Sequence, residues 1–296
     1  MNQIKRTKGD KAFDAVNLFF LTLGCLIVLY PLYFIVIASI SDPNRIFAGD
    51  VLFLPKGVTF DGYGRIFSDP GIWNGFKNTF IYSSLGTAIS VTLTVTAGYA
   101  LSRKDLAGRH LIMAFLLITL FFHGGMIPTY LVVRDLGMVN TIWAMVIPNA
   151  VGLWNVIICR TFFQTSIPKD MLEAAQIDGC NDFRFFSKIV VPLSKPIIAV
   201  MVLFHVVTHW NSFFDALIYL NNDSLYPLQL ILRNLLIQSE VSSQMIGDVE
   251  SSQAQLAVAE QIKYGVIIVS SIPLLILYPF LQKYFVKGVM IGSIKG

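Results

Sequence analysis

The sequence predicts an all-α integral membrane protein with six transmembrane helices. Only 14% of its 296 residues are charged, whereas soluble domains contain about 25%, and 55% are hydrophobic. Several apolar runs approach about 20 residues, the length that an α-helix needs to cross the hydrocarbon layer. The basic residues lie beside these runs rather than in a stripe, so the net charge of +4 does not indicate nucleic-acid binding.

Each predicted span is long enough to cross a bilayer with some tilt. The spans lie at residues 16–41, 79–101, 111–133, 141–163, 196–220 and 264–285. The first run is too long for the apolar core of a signal peptide, so we expect it to remain as a helix. The third contains His123, Gly124, Gly125 and Pro128, a break that is tolerated only against protein or a water-filled cavity.

The distribution of basic residues predicts the orientation of these spans. Fifteen Lys and Arg residues fall in the N-terminal segment, the second loop, the fourth loop and the C-terminal tail, against seven on the other side. Cytoplasmic loops carry the excess of positive charge. We therefore expect both termini and the fourth loop to face the cytoplasm.

The three cysteines indicate neither a disulfide framework nor a zinc site. Cys25, Cys159 and Cys180 are few and widely separated in the sequence. We expect all three to be reduced and dispensable.

The fourth loop, residues 166–192, has the signals of a short helix. A possible capping hydroxyl at Ser166 precedes Pro168, and the acidic residues Asp170 and Glu173 follow within two turns. Gly179 suits the left-handed position that ends a helix. A second short helix is expected from Asp182 to about residue 188, stopped by Pro192, so the loop predicts a helix-turn-helix projection.

Within this loop, Glu173-Ala174-Ala175 is followed after three residues by Gly179, and Ile189 and Pro192 follow at fixed spacing. The pattern EAA-x3-G-x9-I-x-x-P resembles the EAA signature of permease subunits of ATP-binding-cassette (ABC) importers. It departs at residue 191, which is Val where that family more often has Leu. We call residues 166–192 the EAA loop. Judged on its residues alone, the loop could equally be an amphipathic helix resting on the bilayer or on neighbouring spans.

The resemblance implies a type I ABC importer permease fold, and it assigns roles along the chain. Residues 1–15 form a cytoplasmic N-terminus, 16–290 the transmembrane permease domain and 291–296 a C-terminal tail that reaches into the ATPase dimer interface. The alternative interpretation of the tail is that it is a frayed chain end without a partner contact. The implied contacts with the ATPase come from Glu173, Ala174, Ala175, Asp178 and Gly179.

The same resemblance implies the partners. The chain has no GxxxxGK[ST] phosphate loop, so ATP and Mg are expected in a separate ATPase dimer, and this chain is expected to be non-catalytic and without its own cofactor. A second, non-identical permease and an extracellular solute-binding protein complete the implied assembly in a bacterial cytoplasmic membrane. The outer segment 221–261 is polar and acidic, and is interpreted either as a contact for that binding protein or as a solvated loop.

Polar residues inside spans are the expected solute contacts, because hydrocarbon makes them costly. In a helical projection of the fifth span, such side chains fall within an arc of about 160°. They are His205, Thr208, His209, Asn211, Ser212 and Asp215. Interhelical hydrogen bonding is the alternative interpretation. A metal site at His205 and His209 lacks a third ligand at suitable spacing. Weaker candidates for solute contact are His123, Tyr130, Asn149 and Asn155.

Two further runs, residues 121–130 and 136–141, and the pair Trp210-Asn211 are similar to a maltose-permease-like branch that imports complex oligosaccharides. The expected function is therefore oligosaccharide uptake coupled to ATP hydrolysis in a partner. Three alternatives stay open: an ABC permease for another solute, an ion-coupled secondary transporter, and a membrane enzyme that uses Asp215 with His209.

Overall fold

The computed structural model describes residues 7–245, 262–279 and 282, and in this part the chain is helical without β-strands. The helices are α1 (Lys8–Ser39), α2 (Pro43–Phe47), α3 (Asp61–Ser68), α4 (Pro70–Ser102), α5 (Arg109–Phe121), α6 (Met126–Asp135), α7 (Ile142–Val146), α8 (Leu153–Ser166), α9 (Lys169–Ile177), α10 (Asp182–Phe185), α11 (Val191–Leu193), α12 (Lys195–Trp210), α13 (Phe213–Tyr219), α14 (Leu228–Met245) and α15 (Ile262–Pro279). A π-helical turn occupies Phe186–Val190, and a 3₁₀ turn occupies Asp223–Leu225. The tail at 291–296 and most of the acidic part of the outer segment lie outside the described residues.

The chain divides into two compact units, Met1–Asp69 with Leu235–Ser270 and Pro70–Asn234 with Ser271–Gly296. In the first unit, α1 begins at Lys8, eight residues before the predicted start of the first span. A capping box explains the difference: the Thr7 hydroxyl accepts a hydrogen bond from the Asp10 amide, and the Asp10 carboxylate accepts one from the Thr7 amide. The phenol of Tyr63 on α3 donates to the Ser39 hydroxyl at the end of α1 (2.9 Å).

The second unit is organised around α4, which packs along α12 and α8. Small and hydroxyl-bearing side chains on α4 permit this close approach. At Gly98 the backbone of α8 is so near that a Cβ atom would lie 2.6 Å from Cys159 Cβ. A cluster of buried apolar side chains, including Phe163, Phe185 and Met201, connects α8, α12 and the EAA loop.

Three of the predicted spans are broken. The third divides into α5 and α6, which are bent by 117° around residues 122–125. The fourth divides into α7 and α8 around residues 147–152, and the fifth into α12 and α13 at residues 211–212. In the described part, three helices are long and apolar enough to cross a membrane. Two bent pairs, α5 with α6 and residues 182–193 with α12 (bent by 80°), raise the number to at most five if each pair counts as one span.

The break in the fifth span has a local cause. The amide side chain of Asn211 donates to the Val207 carbonyl, and the Ser212 hydroxyl donates to the His209 carbonyl. Side chains that bond nearby backbone groups compete with helix continuation. Helical projection therefore does not apply across the whole predicted span, and Asp215 belongs to a separate helix.

Candidate functional site

The C-terminus of α9 places Gly179 in the left-handed conformation that the sequence predicts, with φ of +74°. The Gly179 amide donates to the Gln176 carbonyl (3.0 Å), and the Cys180 amide donates to the Ala175 carbonyl (2.9 Å). This pair of bonds is the Schellman motif, which ends a helix and reverses the chain. The EAA loop thus has a defined turn between α9 and α10.

Two details of this loop differ from the prediction. Ser166 is the last residue of α8 rather than the cap of α9; the cap position belongs to Pro168, which is extended and provides no side-chain bond. Pro192 does not stop the second helix, because the preceding turn, Phe186–Val190, is π-helical. A wider turn relieves the clash that the proline ring would otherwise make with the carbonyl four residues earlier.

The EAA residues divide between two faces. Ala175 is buried in the apolar cluster, whereas Glu173, Ala174, Asp178 and Gly179 are exposed. Two large apolar side chains accompany the exposed group: Ile177 is 87% exposed and Phe183 is 80% exposed. The loop therefore presents an apolar and acidic surface while its other face packs against α8 and α12. We call this exposed group the EAA surface.

Arg103, at the end of α4, fastens the EAA loop to the helical bundle. Its guanidinium donates to Asp182 on α10 (2.9 Å), to the Tyr99 hydroxyl (3.1 Å) and to Asp105. Only 14% of the Arg103 side chain is exposed. Its hydrogen bond lowers the pKa of Asp105 to about 2. Sequence reasoning missed this anchor because Arg103 and Asp182 are 79 residues apart and their spacing carries no signal.

A cleft of about 490 Å³ lies beside this anchor, between the end of α4, α8 and α9. Its floor is apolar and includes Phe163, Leu172 and Phe185. Its rim carries basic side chains of Lys104, Arg109 and Lys169 together with the carboxylate of Glu173. Glu173 therefore belongs to the EAA surface and also lines the cleft.

His205 and His209 are buried between helices rather than open to a cavity. His209 Nε2 lies 3.2 Å from the Ser90 hydroxyl, and His205 Nε2 lies 3.2 Å from the Thr94 hydroxyl. The side-chain amide of Asn155 is 3.3 Å from the same His205 nitrogen. The structure gives both histidines the interhelical hydrogen bonds that the sequence left as the alternative.

The other members of the predicted arc lie elsewhere. Thr208 and Asn211 are exposed, Ser212 is half-buried, and each bonds a carbonyl of its own chain segment. Asp215 on α13 is half-buried and accepts a hydrogen bond from the Asn149 side-chain amide (2.8 Å). The six candidates thus separate into a buried pair and a more open group.

The weaker candidates for solute contact also lie at different places in the fold. Tyr130 stacks on Tyr219 with a ring separation of 6.2 Å, and His123 is exposed at the break between α5 and α6. In the described part of the chain, no three His, Cys, Asp or Glu side chains come together as metal ligands. Asn149 contacts Asp215, a pair that no feature of the sequence indicated.

A comparison with family models matches residues 110–291 to the binding-protein-dependent transport system inner membrane component. The chain belongs to this family. The matched region runs from the second residue of α5 to beyond α15 and includes the whole EAA loop, so the resemblance drawn from the EAA pattern is confirmed. The permease fold expected from that resemblance is confirmed as well.

Curated relatives cover almost the whole permease. The polygalacturonan/rhamnogalacturonan transport system permease protein YtcP of Bacillus subtilis (strain 168) is 40% identical over 97% of this chain and 99% of its own. Protein LplC of the same organism is 37% identical over 100% of this chain and 99% of its own. The name of YtcP, a transport system permease protein, agrees with the family to which this chain belongs.

Solved structures share the fold. A chain of a bacterial ABC transporter involved in the import of the acidic polysaccharide alginate aligns with a TM-score of 0.86 and 31% identity, covering 96% of the permease and 100% of that chain. A bacterial alginate ABC transporter in complex with alginate pentasaccharide-bound periplasmic protein aligns with a TM-score of 0.53 and 14% identity over 93% of both chains. The second likeness concerns the fold alone.

Proposed function

We propose that this permease is the channel subunit of an ABC importer for oligosaccharides, and that the EAA surface docks on a separate ATPase subunit. The observation that carries the proposal is the exposure of Ile177 and Phe183 beside the EAA residues. Large apolar side chains on a charged loop are typical of an interaction surface. The family and the named activities of the relatives support the same role.

The proposed topology has six spans with both termini in the cytoplasm. The excess of Lys and Arg in the N-terminal segment, the loop after α4 and the EAA loop supports this orientation. The broken third, fourth and fifth spans are compatible with it, because irregular backbone inside a bilayer is tolerated where it faces protein or a water-filled cavity. The proposed location is the cytoplasmic membrane of a bacterium.

The proposed assembly contains a second, non-identical permease, an ATPase dimer that binds ATP and Mg, and an extracellular solute-binding protein. In this arrangement the present chain is non-catalytic. The substrate class is proposed from the relatives, which include an arabinooligosaccharides transport system permease protein, AraQ, of Halalkalibacterium halodurans at 28% identity over 93% of this chain and 96% of its own.

Coupling follows the contacts of the EAA loop. Closure of the ATPase dimer would displace α9 and α10, and the ion pair between Asp182 and Arg103 would transmit the displacement to α4. Because α4 packs along α12 and α8, the helices that contain the solute-path candidates would move with it. In this mechanism Arg103 positions α4 and does not contact the solute.

The proposed path for the solute includes Thr208, Asn211, Ser212 and Asp215, which are the more open members of the predicted arc. His205 and His209 are proposed instead to hold α12 against α4. Nε2 of each ring has a hydrogen-bond partner on α4, and Nε2 of His205 has a second on α8. Buried polar groups without partners are costly.

Replacement of Ile177 by Glu tests the docking proposal. This side chain is exposed in the isolated chain, so the variant is expected to fold and insert normally, yet to lose at least about tenfold of the ATPase that co-purifies with the affinity-tagged permease. Leu54→Glu is the matched control, because Leu54 is 71% exposed in a loop on the predicted outer side. Equal ATPase recovery with both variants would contradict the docking proposal.

A further inference from the structure

The breaks in the fourth and fifth spans meet. The fourth break covers residues 147–152, and the fifth covers residues 211–212. Asn149 in the first break donates a hydrogen bond to Asp215, three residues beyond the second, and α13 packs against α7. This contact joins residues that are 66 positions apart in the sequence. We call Asn149, Asn211 and Asp215 with their two irregular segments the paired break.

The two breaks lie at similar heights in the bundle. Helix α12 has 16 residues between the EAA loop and its break, about 24 Å of rise. Helix α8 has 14 residues between its break and the EAA loop, about 21 Å. In the proposed topology both breaks therefore lie in the outer part of the bilayer, where a solute delivered from outside first enters.

The paired break has polar groups available for a ligand. Asn149 and Asn211 are exposed, and Asp215 is half-buried. The Asp215 carboxylate accepts one hydrogen bond, through Oδ2, from the described residues, whereas a carboxylate has about four acceptor sites. Irregular backbone and an ionisable side chain at membrane depth are typical of a solute path, because lipid tolerates neither.

The charge of the Asp215 carboxylate would distinguish neutral sugars from acidic ones. None of the ion pairs among the described residues involves Asp215. A carboxylate with acceptor sites and with no cation beside it among the described residues can receive hydrogen bonds from sugar hydroxyls. A uronate carboxylate cannot donate such a bond, and it would be repelled at short range in a medium less polar than water.

We infer that the paired break is a solute-binding site that accepts hydrogen bonds from uncharged sugar hydroxyls through Asp215 and disfavours uronate residues. Asn149 is a positioning residue that orients the carboxylate. The inference rests on the proposed oligosaccharide transport and adds a charge preference within the membrane, separate from that of any binding protein.

The test measures weak binding directly, without ATP and without a binding protein. Ligand-observed NMR on the purified permease complex in nanodiscs would compare a galacturonate trisaccharide with the same trisaccharide after reduction of its carboxyl groups to alcohols. The wild-type complex should bind the neutral probe at least about tenfold more tightly than the acidic one. Asp215→Asn should remove this preference, because the amide keeps the shape of the carboxylate without its charge.

Two further variants complete the test. Asn149→Lys places a cation beside Asp215 at an exposed position, so it should also remove the preference, and it carries the test if Asp215→Asn does not assemble. Asp61→Asn, an exposed acid on α3, should keep the wild-type preference.

A wild-type complex without a preference for the neutral probe would overturn the inference. An assembled Asp215→Asn or Asn149→Lys variant that kept the preference would overturn it as well. Recovery of the ATPase with the Asp215→Asn permease should equal that of wild type. A failure of the charge preference is thereby distinguished from a failure of the proposed docking.

Discussion

Gly98→Ala is expected to destabilise the permease by separating α4 from α8. A Cβ atom at this position would lie 2.6 Å from Cys159 Cβ, 3.1 Å from the Arg160 amide nitrogen and 3.3 Å from the Cys159 carbonyl carbon. Carbon atoms in favourable contact are about 3.5–4.0 Å apart. Since the neighbours are Cβ and backbone atoms, no rotamer change relieves the clash, and α8 must shift by about 1 Å.

The magnitude follows from two opposing effects. Overpacking of this kind costs about 1–3 kcal/mol. The higher helix propensity of alanine returns about 0.5–1 kcal/mol. The net destabilisation is about 1–2 kcal/mol, which for a chain of this size corresponds to a fall in Tm of about 2–8 °C.

Thermal unfolding of the purified permease complex, followed by intrinsic fluorescence, would measure this change. Gly24→Ala in α1 is the matched control, because no atom other than those of the adjoining residues and the local helix backbone lies within 4 Å of the added Cβ, and it should raise Tm slightly. In the double variant Gly98→Ala with Cys159→Gly, removal of the closest contact should recover at least about 1 kcal/mol in a double-mutant cycle. Equal Tm for the two alanine variants, or no coupling between residues 98 and 159, would refute the close approach of α4 and α8.

Two more predictions concern Arg103. Arg103→Met should retain the co-purified ATPase and its ATP hydrolysis but lower the coupled uptake of solute about tenfold, because the ion pair between Asp182 and the end of α4 is lost. The measurement is the amount of solute taken up per ATP hydrolysed. A ratio equal to that of wild type would contradict the coupling route. The pKa of Asp105 is lowered to about 2 from 3.8 by its hydrogen bond with Arg103, so the stabilisation it provides is present above about pH 4 and lost as the pH falls toward 2. The effect is small because 62% of the Asp105 side chain is exposed. When Tm is recorded from pH 5 to pH 2.5, it should fall less for Asp105→Asn than for wild type. Parallel curves of Tm against pH for the two proteins would exclude this contribution.

The helical elements and the turn at Gly179 were predictable because they depend on local signals. A left-handed glycine after a short helix has a sequence signature, and so does an apolar run of membrane length. The break near His123 was also anticipated from the neighbouring Gly and Pro residues. Helix α1 begins eight residues before the predicted span because Thr7 and Asp10 form a capping box, a signal that is separate from the apolar run used to place the span.

The arrangement of the solute path was not predictable from one helix at a time. Helical projection placed His205 and His209 beside Asn211 and Asp215, but it contains no information about which neighbouring helix each side chain meets. The histidines pack on α4, and the helix ends at Trp210 because polar side chains bond its last carbonyls. Contacts over long sequence separations, such as Arg103 with Asp182, leave no trace in spacing.

In the proposed function, this permease imports an oligosaccharide with energy from ATP that a partner hydrolyses. The most direct test is uptake of radiolabelled oligosaccharides, including the neutral and acidic trisaccharides, into proteoliposomes that contain the complex co-purified with this chain, with the solute-binding protein outside. We expect uptake that requires ATP inside the vesicles and the binding protein outside, and that is unaffected by dissipating ion gradients. Uptake that proceeds without ATP and collapses with the ion gradient would contradict it and indicate a secondary transporter.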